Sequence, residues 1–455
     1  MRIAQPFSLD FPIGIMTFFP LFFPRRSMLM LLLLLGISVS ASAQSRDDGS
    51  LYSRFGLGQL QQFPSSQIQA LGGGGTALWS YNYVNYSNPA SWSRQVVTRA
   101  SLGVRIDGLE TTDAADNSKQ LTAGSFNAAQ FSFPLMRDQL GLAFSFEPYS
   151  RVNYRVQTTG QLISDPISQD TSSFLINYEG TGGLQQIRGG AGVKITNGFR
   201  VGASADVIFG IIEEGQRTTF TDTPGFAETN LTTSTRLVGF TGTVGALLTT
   251  SNLLGSNDDL SLAASLTLPT VLDGNRALTL GESLDRDTLG AQIQGDLELP
   301  LSAQLGIAYQ SDNRWILVAD ALYAPWNDFQ SDLSWPGFTP GGTSRFQDRM
   351  RFSGGVEFLP AGNDQLDTYF KRVAYRLGFY YDQAYISPVE GIDITTMAVT
   401  GGLSLPSLFP GTHLDLNVEV GTRGTTDQDL VRDLFYGVSA TLSIGERWFV
   451  RRKLR

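Results

Sequence analysis

Leu434 to Val450, LFYGVSATLSIGERWFV, is a run in which apolar or aromatic residues alternate with small or polar ones, followed only by Arg451 to Arg455. Tyr436, Val438, Ala440, Leu442, Ile444, Trp448 and Val450 share one face of a strand, and Gly437, Ser439, Thr441, Ser443, Gly445 and Arg447 share the other. Successive strand side chains point to opposite faces, so the run has one apolar and one polar surface. A tilted strand crosses a bilayer in roughly 9 to 11 residues, which makes this run long enough to span one with Trp448 and Phe449 at an interface. A soluble edge strand could carry the same alternation, so the rest of the chain decides.

The alternation recurs. Ala100, Leu102, Val104 and Ile106 oppose Arg99, Ser101, Gly103, Arg105 and Asp107, and Leu140, Leu142, Phe144 and Phe146 oppose Gly141, Ala143, Ser145 and Glu147. Period two at these lengths predicts strands over about 98–109, 124–136, 139–158, 184–195, 199–220, 233–250, 258–272, 291–310, 314–334, 345–359, 373–387, 393–405, 412–424 and 434–450. That is fourteen segments, an even number, as bacterial single-chain outer-membrane barrels require. Barrels of this class have short periplasmic turns and longer outer loops. The joints Arg137-Asp138, Thr196-Asn197-Gly198 and Ser311-Asp312-Asn313 are short and all run from an even to an odd segment. Thr159 to Gly183, Thr221 to Thr232 and Asp273 to Gly290 are longer and run from odd to even, which places both termini in the periplasm. Pro360 to Arg372 and Pro388 to Ile392 break the rule, one too long and the other too short. Closing such a sheet into a barrel pairs every backbone group and leaves no edge in lipid, so the expected fold is all-β, a 14-stranded antiparallel transmembrane β-barrel over residues 98–450.

Residues 1–43 read as a secretory signal, because Arg25 and Arg26 precede the apolar run Met28 to Ile37 and the small-residue site Ala41-Ser42-Ala43. Translation starting at Met28 would make that signal ordinary in length. Removing it takes away Arg2, Arg25, Arg26 and Asp10 and leaves a chain more acidic than the full sequence's −9. A net acidic chain without basic runs is a poor nucleic-acid binder. The sequence has no cysteine and a single histidine, His413, so disulfides, thiol catalysis and thiolate metal sites are excluded and no cofactor or metal is expected.

Residues 44–97 do not alternate. They hold Tyr52, Phe55, Trp79, Tyr81, Tyr83, Tyr86 and Trp92, more aromatic area than a disordered tail carries, and so read as a hatch packed inside the barrel. Gly72, Gly73, Gly74 and Gly75 lack the following Lys-Ser/Thr of a phosphate loop, and close approach of backbone to the barrel wall is their expected use. Residues 451–455 form a basic periplasmic tail, and the terminal strand ahead of it is where barrel-assembly machinery would engage the chain for insertion.

Asn88-Pro89-Ala90 after the glycines, Leu299 to Tyr309 (LPLSAQLGIAY) and Trp315 to Phe329 (WILVADALYAPWNDF) resemble the FadL family of outer-membrane transporters for long-chain fatty acids and aromatic hydrocarbons. Arg376 to Tyr381 (RLGFYY) and Glu446 to Lys453 (ERWFVRRK) are similar to a divergent branch of it. The resemblance implies an N-terminal hatch that includes Asn88, Pro89 and Ala90, and passive passage of hydrophobic molecules. It also implies lateral release through a wall opening at a kinked third strand. Glu147-Pro148 stands in that strand, and proline cannot donate to a ladder.

Parity turns Ile208, Ile316, Val318 and Leu322 inward as a candidate solute path. It also turns inward Arg99, Arg105, Asp107, Asp206, Asp320, Arg376, Asp382, Asp415 and Glu419, a set read as ion pairs bracing barrel and hatch. His413 shares a face with Asp415, but a hydrolase needs a placed nucleophile as well, and no enzyme activity is expected. The expected function is an outer-membrane channel in a Gram-negative bacterium, a monomer in lipid that takes up a hydrophobic small molecule. The alternative is a FadL-like barrel acting as an adaptor in protein secretion.

Overall fold

The computed structural model describes residues 49–447 apart from 62–64, 81–82, 166–169, 221–227, 254, 282–286, 363, 408 and 410. The expected signal, Tyr81, Trp448, Phe449 and the basic tail lie outside the described residues.

Fourteen antiparallel strands close into one barrel. They are β1 (Thr98–Thr112), β2 (Ser118–Met136), β3 (Leu140–Pro148 and Ser150–Asp165), β4 (Asp170–Lys194), β5 (Phe199–Phe220), β6 (Thr229–Ser251) and β7 (Asp258–Thr267 and Thr270–Leu280). There follow β8 (Asp287–Thr288, Ile293–Leu299 and Ser302–Ser311), β9 (Trp315–Ala324 and Gln330–Ser331), β10 (Arg349–Phe358), β11 (Ala374–Gln383), β12 (Thr395–Pro406), β13 (His413–Gly424) and β14 (Arg432–Glu446). Each strand pairs with its neighbours in sequence, and β14 returns to β1 in a ladder running from Thr98 opposite Glu446 to Thr112 opposite Arg432. Both ends of the barrel chain therefore lie at the same rim.

The alternation does what the sequence predicts. Leu102, Val104 and Ile106 on β1, Leu317 on β9, Leu377 and Phe379 on β11, Val418 and Val420 on β13, and Tyr436 and Val438 on β14 all face outward and are exposed. Phe240 on β6 is 73 % exposed, and the exposed apolar residues continue from strand to strand around the wall. A water-soluble monomer rarely exposes a continuous apolar band of this kind, so the band identifies the lipid-facing surface.

Four strands break at proline. The two halves of β3 meet at Tyr149 after Pro148, β7 breaks at Leu268-Pro269, β8 at Pro300 and β9 at Pro325. Two joints expected to be long loops are mostly ladder: β3 and β4 pair up to Asp165 opposite Asp170, and β7 and β8 pair up to Leu280 opposite Asp287. Beyond the β3 kink the apolar phase turns inward, with Val152 and Tyr154 buried and Val156 and Tyr178 packed against them. Polar pairs join the two strands beside it, such as Arg155 Nη2 to Glu179 Oε2 at 3.0 Å and Gln157 Nε2 donating to Asn177 Oδ1 at 3.0 Å.

Candidate functional site

Residues 49–97 hydrogen-bond to inward-facing residues from around the whole wall. A short 3-10 helix, Leu51–Arg54, begins at Ser50, whose hydroxyl caps Tyr52 N and donates to Asp433 on β14. Tyr52 OH donates to Val431 O at 2.5 Å, and burial, with Asp433 nearby, pushes that phenol up to about 12, so it stays a donor at neutral pH. Gln59–Leu60 then lie antiparallel to β3, Gln59 opposite Arg151 and Leu60 opposite Ser150, and Gln61 N donates to Tyr149 O at 2.8 Å.

The single described α-helix, α1 (Ser66–Ala70), is capped by Ser65 and buried on every side, so its polar side chains must be satisfied by the wall. Gln67 Nε2 donates to Asp415 Oδ2 at 2.5 Å. Gln69 donates to Asn127 Oδ1 at 3.2 Å and accepts from Ser439 Oγ at 2.5 Å. The glycine run follows. Gly72 and Gly73 have φ of +71° and +84°, a region side chains disfavour, and a Cβ on Gly355 or Gly378 of the facing strands would strike Leu71. Asp320 Oδ2 accepts from Gly75 N at 2.7 Å, Thr76 N at 2.7 Å and Thr76 Oγ1 at 2.8 Å.

Asn88, Pro89 and Ala90 open a second 3-10 helix, Pro89–Arg94, with Asn88 Oδ1 accepting from Ala90 N at 3.0 Å and its amide donating to Ala246 O on β6 at 3.0 Å. Glycines make room for it: a Cβ at Gly192, Gly202 or Gly245 would strike Asn88 or Pro89. The expected use of glycine, backbone approaching backbone, is therefore present on both partners.

The expected ion pairs form in part as read. Arg105 meets Asp107 at 2.5 Å and Glu419 at 2.9 Å, Arg376 meets Asp415 at 3.1 Å, and Tyr380 OH donates to Glu419. Asp206 and Asp382 pair with arginines not foreseen, Arg188 at 3.0 Å and Arg349 at 2.7 Å, and Glu357 joins Arg376 at 2.6 Å. Parity finds which residues face inward, but cross-strand register decides which of them meet, and register cannot be read from one strand alone. Two of the expected ion-pair residues meet backbone: Asp320 holds backbone amides, and Arg99 Nη1 donates to Gly411 O at 3.1 Å. Asp415 is engaged by Gln67 and Arg376, while His413 Nδ1 is buried without a hydrogen-bond partner.

Of the candidate solute path, Val318 packs in a cluster with Ile68 and Leu71, with Ile316 against it. Ile208 and Leu322 instead line a cavity of about 180 Å³ between residues 49–97 and the wall. Its apolar lining includes Leu299, Leu322 and Trp326, and its charged lining is Glu147, Arg188, Asp320, Arg349 and Arg351.

Glu147-Pro148 marks a gap in the wall. The first half of β3 pairs with β2 from Met136 opposite Leu140 to Ala129 opposite Phe146. Beyond the kink the second half pairs with β4 and with Gln59–Leu60, and no described ladder joins it to residues 118–128 of β2.

The family model for BamG matches residues 25–455. No curated protein matches the sequence. Among solved structures, the chain is similar to the CymD monoaromatic hydrocarbon channel at 15 % identity and a TM-score of 0.54, covering 86 % of this chain and 99 % of that one. The Ralstonia pickettii toluene transporter TbuX matches at 15 % identity and 0.53, covering 85 % and 99 %. A Pseudomonas aeruginosa FadL homologue matches at 14 % identity and 0.52, covering 85 % and 98 %. At these identities the likeness shows the fold, a FadL-type barrel.

Proposed function

From the premise that this chain belongs to the BamG family, we propose that it is an outer-membrane channel for small hydrophobic or amphipathic molecules, with residues 49–97 as a hatch and both termini in the periplasm. The observation that carries the reading is the gap beside Pro148, where the wall edge is covered by two hatch residues, Gln59 and Leu60, in place of a neighbouring strand. A shift of that two-residue bridge opens a side exit while every strand of the closed barrel keeps its partners. The CymD, TbuX and FadL-homologue likeness supports this use of the fold.

A second reading, an adaptor in protein secretion, is favoured by the joint between β10 and β11. It lies at the rim with the chain ends and exposes Leu366 (97 %) and Phe370 (75 %) beside Tyr369. Apolar side chains held out from the rim suit a partner protein.

One experiment separates the two. The chain is free of cysteine, so Leu60→Cys with Ser150→Cys installs a single cross-link between facing residues. A deletion strain carrying the wild type is expected to take up radiolabelled toluene or long-chain fatty acid, to lose uptake when the cross-linked variant is oxidised, and to regain it on reduction. Uptake indifferent to the lock overturns the side exit. Absence of uptake across the panel, with a membrane protein co-purifying stoichiometrically and lost in Leu366→Asp/Phe370→Asp, establishes the adaptor instead.

A further inference from the structure

The cavity lined by Ile208 and Leu322 is unbalanced in its hydrogen bonding. Glu147 is 8 % exposed, and its Oε1 lies 4.0 Å from Arg188 while its Oε2 has no hydrogen-bond partner. Asp320 gives one oxygen to three donors from Gly75 and Thr76, and its Oδ1 has none. The guanidiniums in the same lining are committed elsewhere. Arg188 holds Asp206 and donates to Tyr86 O at 3.0 Å, Arg349 forms a fork with Asp382, and Arg351 reaches Asp382 and Gly72 O. Three guanidiniums thus face four carboxylates: Glu147, Asp320, Asp206 and Asp382. A buried carboxylate oxygen without a donor is costly, and a second carboxylate brought beside it is more so.

We propose that this cavity is a binding site for small amphipathic molecules whose head is a protonated amine, with the ammonium against Glu147 and the alkyl or aryl part against Leu299, Leu322 and Trp326. The proposal rests on the channel reading and sharpens it. It assigns the interior to cationic amphiphiles, because a fatty-acid carboxylate would meet two acceptors and only guanidiniums already engaged. The apolar lining supplies affinity, and the unpaired acceptor supplies the choice of head group.

The test is calorimetric titration of the full chain in non-ionic detergent with three water-soluble probes of equal length: hexylamine at pH 7, hexanoate and hexanol. Hexylamine is expected to bind at least tenfold more tightly than hexanoate, with hexanol between them. Glu147→Gln keeps the shape and removes the charge, and it is expected to abolish the preference for the amine while hexanol binding is retained. Leu322→Trp fills the cavity and is expected to remove all three, which separates a cavity site from uptake into the micelle. Equal or tighter binding of hexanoate overturns the proposal, as does amine binding unchanged in both variants or absent from the wild type. The result is independent of the uptake assay: a barrel that binds hexylamine but moves no solute refutes the channel and keeps the site.

Discussion

The two seams that flank β1 and β2 differ in kind. Between β14 and β1 the ladder runs unbroken from Thr98 opposite Glu446 to Thr112 opposite Arg432, with apolar residues outward on both strands. Between β2 and β3 pairing covers only Ala129 to Met136, and beyond Pro148 the wall edge passes to Gln59 and Leu60. The first seam is made of the barrel alone, whereas the second is completed by residues 49–97. A continuous ladder forms where both strands can donate throughout, and pairing ends where proline removes a donor and a short segment takes the edge. The contrast extends inward: polar bonds hold residues 65–76 to β9 and to β12–β14, while the bridge at 59–60 is only two residues long.

The largest expected effect is on the unbroken seam. Ile106 stands opposite Val438 and is 60 % exposed to the lipid side. Ile106→Arg places a charge in the apolar band, which costs about 2–4 kcal/mol near the bilayer midplane. Urea unfolding in phospholipid vesicles should show a loss of that size. A loss below about 1 kcal/mol would place this face outside the hydrocarbon core.

The middle effect tests what anchors the N-terminal segment. Asp320→Ala leaves the Gly75 and Thr76 amides without their acceptor, and a buried donor so orphaned costs about 1–3 kcal/mol. The variant should keep its barrel, shown by slow migration of the unheated protein on a gel, while residues 65–76 become sensitive to limited proteolysis. An unchanged digestion pattern would mean that Asp320 is not the anchor.

The sequence carries the strands far better than it carries the contacts inside them. Period-two alternation finds all fourteen strands because lipid outside and a polar interior write opposite residue types at alternate positions. It falls short where β3, β4, β7 and β8 continue into the expected loops, because polar pairs such as Gln157 with Asn177 interrupt a phase whose apolar members, Val156 and Tyr178, turn inward and pack against the core. The inward residues are equally legible: Asp206, Asp320, Val318 and Leu322 all face inward as their parity requires. Their partners are not, because Arg188 finds Asp206 and Arg349 finds Asp382 only through the offset between neighbouring strands. The bridge at Gln59–Leu60 had no signal, being two residues in a segment without alternation. Pro148 did have one: a missing donor in an otherwise regular strand stands where the pairing between β2 and β3 ends.

The smallest expected effect acts on that place. Gln61 N donates to Tyr149 O, so Gln61→Pro removes one hydrogen bond from the joint and leaves Tyr149 N with its acceptor, Leu184 O. Proline also holds Leu60 in the extended conformation it already has opposite Ser150, so the change subtracts a bond without bending the segment. The net loss is about 0.5–1.5 kcal/mol, too little to unfold a closed barrel. Because the bridge is local, the loss should appear as local opening: amide exchange at Ser150, Arg151 and Val152 quickens several-fold, while exchange along the Thr98–Thr112 seam stays as in the wild type. If both regions quicken together, the bridge is part of the barrel's global stability and the two seams do not open independently. If neither changes, something other than Gln59 to Gln61 covers the edge.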